Sequence, residues 1–330
     1  MSETIFLTGA TGFIGSALSR LLLSKGYEVR VLTRPRNDRT NLDGLKVEIV
    51  EGDLTKPETY REALKGCKYL FHAAADYRIW VPDVAAMNRV NIGGTKMLML
   101  AALEAGIEKI VYTSSVATLG HYPDGSPADE ETPVSFKDMI GVYKQSKFLA
   151  EEEVLRLIRH YNLPAVIVNP STPVGPRDIK PTPTGRIIVN AVNGLMPAYV
   201  DTGLNIVHVD DVAEGHWLAC EKGKIGERYI LGGTDLELSE ILKTIAASTG
   251  HKPPKIKLPI PPLFPIAVLM EGFARIMESE PILTRDALRM AQRKMFFVSD
   301  KAQRELGYTF RPAYDALSDA IEWFRTEGYC

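Results

Sequence analysis

The run Gly9-Ala10-Thr11-Gly12-Phe13-Ile14-Gly15 constrains this chain more than any other feature. It follows a short apolar strand signal over 5–8. It opens a segment of helical periodicity over 13–25, carried by Ile14, Leu18, Leu21 and Leu22 and stopped at Gly26. A glycine-rich turn at that place has three physical uses. One glycine permits the tight turn, one lets backbone approach a pyrophosphate, and one lets the helix pack on the strand. The helix N-terminus adds free N–H groups and partial positive charge for phosphates. The spacing is GxxGxxG rather than GxGxxG, so its weight comes from its position. Gly9, Thr11, Gly12, Phe13, Ile14 and Gly15 are the candidate phosphate contacts.

Strand and helix signals then alternate. Strands are predicted over 29–33, 47–50, 69–72, 109–113 and 165–169, and helices over 56–65, 84–105 and 140–161. Short apolar strands alternating with helices predict an α/β fold, a doubly wound parallel sheet of the Rossmann type. Ligands on such sheets sit beyond the carboxyl ends of the strands. After Pro170 the pattern loosens, with prolines at 170, 173, 176, 181 and 183. This predicts a cofactor domain over 1–170, joined by part of 203–223. A smaller, partly interleaved C-terminal α/β substrate domain would cover 171–330.

The end of the second strand chooses the cofactor. An acidic residue there would hold a free ribose 2′-hydroxyl. This chain has Thr33-Arg34 there, with Arg36 and Arg39 nearby and no carboxylate at the strand end itself to repel a 2′-phosphate. NADP(H) is favoured, and NAD(H) is the alternative if these arginines only form a solvated loop. Asp53 and Leu54 follow the third strand, where the adenine belongs, although Asp53 equally suits a helix cap. His72 precedes Ala73, Ala74 and Ala75, whose small side chains let backbone pass close to a cofactor.

Tyr143 and Lys147 stand four residues apart on one predicted helix and share a face. A tyrosine pKa near about 10 is too high for easy proton exchange at neutral pH, and a nearby ammonium lowers it. YxxxK alone is a common spacing. Ser115, at the end of the preceding strand, adds a hydroxyl that can bind the same substrate oxygen.

Glycine loop, strand-end serine and YxxxK in this order resemble the extended short-chain dehydrogenase/reductases, the NAD-dependent epimerase/dehydratase family. Asn91-Ile92-Gly93-Gly94-Thr95, Asn169-Pro170 and His208-Val209-Asp210-Asp211 extend the likeness. The resemblance implies that Ser115 assists catalysis and that Tyr143 is the general acid/base. It implies that Lys147 also binds the nicotinamide ribose, and that Pro170 and Ser171 lie near the nicotinamide; Ser114 reads as structural. The segments 74–80, 113–120, 169–176, 181–186 and 294–297 are similar to the dihydroflavonol 4-reductase-like branch and to hopanoid-associated sugar epimerases, so a role in hopanoid lipid metabolism is an expectation.

Two enzyme readings remain. An epimerase oxidises and re-reduces one alcohol on bound NAD, whereas a reductase delivers one hydride from NADPH. Thr33-Arg34 favours reduction. So does Gly203-Leu204-Asn205-Ile206-Val207-His208, where the nucleotide-sugar enzymes of the family resemble one another in an arginine that holds a diphosphate. Arg177 and Arg186 are the remaining candidates for that clamp. Tyr77 and Trp80 are candidate substrate contacts, suited to an apolar or ring-shaped molecule, and equally suited to packing under a loop. Met196, Tyr199 and 264–277 are further candidates. A reading of another class, an inactive NADP-binding sensor or scaffold, requires a broken Ser–Tyr–Lys set, and here the set is intact.

The remaining expectations come from bulk properties. With 39 basic and 41 acidic residues the chain offers no positive field for nucleic acid. Cys67, Cys220 and Cys330 match neither a disulfide framework nor a metal spacing. Strand residues begin at Thr4 without a basic leader, and a cytoplasmic location is expected. The stretch 258–277 is the most apolar, but prolines, Glu271 and Arg275 break it. It reads as a buried helix after a proline-rich turn rather than a transmembrane segment; contact with lipid or a greasy substrate is the alternative. A homodimer paired through the helices near 84–105 and 140–160 is implied by the resemblance.

Overall fold

The computed structural model describes residues 3–81, 83–277, 279, 281 and 283–330. Strands β1 (Thr4–Thr8), β2 (Glu28–Thr33), β3 (Val47–Glu51), β4 (Cys67–His72), β5 (Lys109–Thr113) and β6 (Ala165–Pro170) lie in one sheet. Three short strands leave it: β7 (Thr172–Val174), β8 (Ala198–Val200) and β9 (Gly203–His208). The chain then returns through β10 (Arg228–Leu231), which pairs with β6. The sheet order is β10-β6-β5-β4-β1-β2-β3, with every pairing parallel. The direction of winding reverses between β1 and β4, which opens the crevice where such sheets take ligands.

Alternation along the strands feeds two cores. Ile5 and Leu7 of β1 enter one, with α1 (Phe13–Ser24) above them, while Phe6 enters the other. The Phe6 side is covered by the short α2 (Arg61–Leu64), by α4 (Thr95–Glu104), which follows α3 (Val84–Asn88), and by α5 (Gly141–Tyr161). A third core joins α6 (Pro183–Val192) and β9. α7 (Val209–Lys222) returns to the first core and packs on α1.

The rest of the chain adds β11 (Thr234–Glu237), α8 (Leu238–Thr249) and β12 (Ile256–Leu258). α9 (Leu263–Ile276), α10 (Arg285–Ala291), α11 (Asp300–Leu306) and α12 (Ala313–Thr326) follow. Strands β11-β9-β7 form a small sheet and β12-β8 a two-stranded one. α8 and α12 complete the third core with Ile241, Ile245, Leu317 and Phe324. The architecture is the expected doubly wound α/β sheet with a smaller, interleaved α/β part.

Three expectations need correction. The predicted helix over 84–105 has a π-helical turn, Arg89–Gly94, between α3 and α4. The predicted helix over 56–65 is a 3-10 turn, Pro57–Thr59, followed by the single turn of α2. Asp53 therefore caps no helix. Its carboxylate instead accepts from the Thr55 amide (2.8 Å) and hydroxyl (2.7 Å). The apolar stretch 258–277 is not a buried helix. Only Ala267, Glu271 and Ala274 of α9 are buried, with α10 packed beside the helix, while Ile266, Leu269, Phe273 and Ile276 are exposed. Among the described residues no helix is long and apolar enough to cross a membrane. All three cysteines are free.

Candidate active site

The glycine loop leaves β1 at Gly9, whose φ is +79°. A Cβ there would lie 2.6 Å from the backbone of Ala73 and Ala74, so two strand-end turns touch through missing side-chain atoms. A Cβ on Gly15 would meet the Gly9 carbonyl at 2.0 Å, which lets α1 settle onto the loop. Gly12 caps α1 with no side-chain hydrogen bond. Thr11 and Phe13 flank that cap, and Ile14 packs against the first core. The first amides of α1 thus remain available to an anion, with the helix dipole behind them. Asn37 donates to the Thr11 hydroxyl (2.8 Å) and Asn41 to the Thr11 carbonyl (3.2 Å), so the segment after β2 braces the loop.

Arg34 is exposed at the end of β2. Arg39 is taken by Glu51, whereas Arg34 and Arg36 form no ion pair among the described residues. The expectation of no carboxylate near Arg34 needs correcting, since folding brings in two from distant strand ends. Burial raises the Asp53 carboxyl, but the Thr55 hydrogen bonds and the Arg34 charge outweigh it, and the pKa lies below the ordinary range. Asp76 behaves alike: burial raises it, and Arg78 and Arg34 hold it below. Leu54 packs against Gly94 of the π-helical turn.

His72, fully buried, bridges Thr8 (2.7 Å) and Thr95 (2.9 Å) through its two ring nitrogens. Burial, with help from Lys147, pushes its pKa down to about 3, so the ring is neutral. Ala73 and Ala74 donate backbone amides to the Thr8 carbonyl (3.2 Å) and hydroxyl (3.3 Å). Ala75 follows in the same loop, partly buried.

Ser115 ends the β5 segment and caps a 3-10 turn, accepting from the Ala117 amide (3.1 Å). Tyr143 enters from the first turn of α5 with its hydroxyl near that of Ser115, close enough for Ser115 to lower its pKa by hydrogen bonding. Its pKa lies above the ordinary tyrosine value because burial outweighs that hydrogen bond. Lys147 is buried and donates to the Thr113 carbonyl (2.7 Å) and the Tyr112 hydroxyl (3.3 Å), with its ammonium 4.8 Å from the Tyr112 ring centroid. Burial pulls it down to about 8, and Glu151 opposes that. The expected lowering of the Tyr143 pKa by Lys147 is therefore not the arrangement seen. Sharing a helix face brings the two side chains near each other, but a desolvated ammonium takes the strongest acceptor in reach, here a backbone carbonyl.

Beyond β6, Ser171 donates its amide to the Leu231 carbonyl (3.1 Å). The buried hydroxyls of Ser171 and Ser114 and the Asn169 side-chain oxygen find no hydrogen-bond partner among the described residues. Ser114 itself is held by its amide, which donates to the Val168 carbonyl (2.8 Å). Unpaired polar atoms at the ends of β5 and β6, uncapped amides on α1 and the close approach at Gly9 together fit a dinucleotide with a polar nicotinamide end.

The loop after β4 reaches the smaller part. Tyr77 is 43% exposed. Burial and the Asp178 charge raise its hydroxyl pKa, while Arg186 lowers it. The Arg275 guanidinium lies over the Trp80 ring at 5.7 Å. Neither candidate clamp is free for a diphosphate: Arg177 pairs with Asp210, and Arg186 lies in the field of Asp178. Asn205, in the stretch 203–208 that holds no arginine, is buried and its side chain is fully used. It donates to the Asp235 carboxylate (2.6 Å) and the Phe297 carbonyl (3.0 Å), and it accepts from the Gly233 amide (2.7 Å).

The model of the NAD dependent epimerase/dehydratase family matches residues 5–232. A Synechocystis sp. protein with the provisional name dihydroflavonol 4-reductase is 42% identical, over 100% of this chain and 96% of its own. The chain belongs to this family. Sterol demethylase protein B of Methylococcus capsulatus is 35% identical, over 98% of this chain and 99% of its own. The crystal structure of gox2253 superposes with a TM-score of 0.90 at 58% identity, covering 99% of both chains. The UDP-glucose 4-epimerase of Thermotoga maritima shares the fold, with a TM-score of 0.80 at 22% identity over 98% and 99%. The chain is an enzyme of a family of NAD(P)-dependent reductases, dehydratases and epimerases.

Several roles at this family site escaped the sequence reading, which quoted Asn91 and Asn169 only as parts of the likeness. Asn91, in the π-helical turn, holds the Asp76 amide (2.7 Å) and carbonyl (2.9 Å) and donates to Ser146 (2.9 Å), tying the loop after β4 to α5. Glu151, one turn beyond Lys147, accepts from Thr118 (3.0 Å) and Asn169 (3.0 Å) and faces Arg228 (3.5 Å). Asn169 and Thr118 in turn both donate to the Ser115 carbonyl, at 3.0 and 2.8 Å. The only sequence signal for Glu151 was its position four residues after Lys147. Lys144, only 7% exposed, has its ammonium 3.8 Å from the Met295 sulfur, and burial beside Arg293 brings it to about 8.

Proposed function

We propose that the protein is an NADP(H)-dependent reductase acting on a carbonyl of an apolar, ring-containing substrate. The cofactor unit would comprise 1–170 with the β9–α7 region, and 171–330 would supply the substrate side. The observation that carries reduction over nucleotide-sugar epimerisation is the stretch Gly203–His208, which holds no arginine to clamp a diphosphate and whose Asn205 side chain is spent on internal hydrogen bonds. Arg34 supports the 2′-phosphate form of the cofactor. The name of the sterol demethylase relative supports a polycyclic substrate, and with it the expected role in hopanoid metabolism.

The bound nicotinamide would supply a hydride to the carbonyl carbon. Tyr143, kept protonated by its raised pKa, donates its proton to the carbonyl oxygen, and solvent later restores it. Ser115 orients that oxygen. Lys147 holds the ribose and the positive charge beside the phenol. Gly9 to Gly15 cradle the pyrophosphate, Asp53, Leu54 and Ala73 to Ala75 flank the adenosine, and Pro170 and Ser171 border the nicotinamide. Tyr77 and Trp80 line the substrate entrance. A homodimer through α4 and α5 belongs to the same reading.

NAD-dependent epimerisation has one observation in its favour: Asp53 and Asp76 share the field of Arg34 and weaken its hold on a 2′-phosphate. Mass spectrometry of nucleotide released from denatured protein, followed by turnover with NADPH on cyclic ketones and on nucleotide sugars, separates the two. Tightly held NAD with sugar epimerisation overturns the reductase reading. Tyr143→Phe should cut turnover by about 10²- to 10⁴-fold, as loss of a general acid does. Unchanged turnover removes Tyr143 from the mechanism.

A further inference from the structure

A surface helix ordinarily turns polar residues outward. α9 does not. Ala267, Glu271 and Ala274 face inward, and Glu271 is spent on the Arg285 amide (2.7 Å) and guanidinium (2.8 Å). The outer stripe is Ile266, Leu269, Phe273, Ile276 and Met277, spaced by helical turns. Leu269 is 74%, Phe273 65% and Ile276 81% exposed. β12, which leads into the helix, adds exposed Ile256 and Leu258.

Charge on this stretch has one sign. In a chain of formal charge −2, the exposed charged residues described within 251–277 are Lys252, Lys255, Lys257 and Arg275, all cationic. Lys257 meets Asp201 at 2.8 Å and Arg275 covers Trp80. Lys252 and Lys255 form no ion pair among the described residues. An apolar ridge bordered by cations, with no exposed carboxylate among the described residues of 251–277, suits a helix lying in the headgroup layer of an anionic bilayer. At roughly 1.5 Å per residue α9 is shorter than a hydrocarbon core of about 30 Å, so it would lie along the surface. A second copy suits the ridge less well, since a two-fold pairing would set lysines against lysines.

We propose that the outer face of α9, with Lys252 and Lys255, docks this protein on an anionic lipid surface. The Arg275–Trp80 contact then places the loop 76–81 beside the bilayer, where an apolar substrate would enter. Docking does not depend on the reaction assigned above.

Flotation of the full chain with vesicles tests this. Expected is co-flotation with phosphatidylcholine–phosphatidylglycerol vesicles, weaker with phosphatidylcholine alone, and declining with salt. Leu269→Gln with Phe273→Gln should weaken partition by roughly a hundredfold, and Lys252→Glu with Lys255→Glu by at least about tenfold on anionic vesicles only. Retained nicotinamide-nucleotide binding shows that the variants fold. The proposal is overturned if the wild-type chain floats with neither vesicle or if the variants float equally well. It is also overturned if sedimentation shows a dimer that the apolar variant dissolves while vesicles bind nothing.

Discussion

In the proposed mechanism, proton traffic at the site turns on Lys147. Burial brings it to about 8, so its ammonium is intact below that pH and is lost above it. Reductive kcat/KM should therefore fall as pH rises through about 8, while Tyr143, with its raised pKa, stays protonated there. In Lys147→Met the remaining activity should lack that limb; an unchanged limb assigns it to another group. Arg34 carries the second residue-scale prediction. Loss of a charge-assisted contact costs about 1.5–3 kcal/mol, so Arg34→Asp should weaken NADPH binding by roughly 10- to 100-fold and spare NADH. Equal losses for both cofactors would make Arg34 a solvated loop residue. The glycines, Ser115, Tyr143 and Lys147 were legible because the chemistry restricts their residue type and spacing. Asp53 and Asp76 near Arg34 were not, because they come from separate strand ends.

Among the elements, α6 depends on a buried carboxylate. Asp178 accepts from the Thr182 amide and hydroxyl, and Thr182 caps α6 through the Gly185 amide (3.1 Å). Burial raises Asp178 to about 6, against the hydrogen bonds that lower it. A carboxyl raised by folding adds stability that is full below its unfolded pKa of about 3.9 and is lost as pH rises through about 6, up to about 3 kcal/mol. Asp178→Asn has no such titration. Its melting temperature should climb relative to wild type between about pH 4 and pH 7, by roughly 4 °C. A pH-independent difference in calorimetry would refute this. The strands and α5 were legible from their periodicity. The π-helical turn Arg89–Gly94 was not, because its hydrophobic pattern resembles that of an α-helix, and it is Asn91, bonded to Asp76 and Ser146, that occupies the turn.

For the whole molecule, the crevice joins parts distant in sequence. Buried His208 at the end of β9 hydrogen-bonds Asp319 of α12 (3.1 Å), and Arg311 bonds Asp211 of α7 (2.7 Å). In the proposed reading, a cofactor that spans the ends of β1, β4 and β6 binds only the folded chain and so stabilises it. NADPH at about 100 times its Kd should add about 2.7 kcal/mol, a rise of roughly 4 °C in Tm, and NADH at the same concentration should add less. An equal shift with both would refute the NADP preference at this scale.

The amino-acid sequence alone determined the doubly wound sheet, the glycine loop and the Ser115–Tyr143–Lys147 set. Strand alternation, helical period and motif spacing are local properties of the chain. Tertiary structure alone decided the hydrogen bonds of Lys147, the locking of Asn205, the carboxylates around Arg34 and the exposed outer face of α9. Each of these depends on which residues far apart in sequence become neighbours and on how much water is left between them, and a local pattern carries neither.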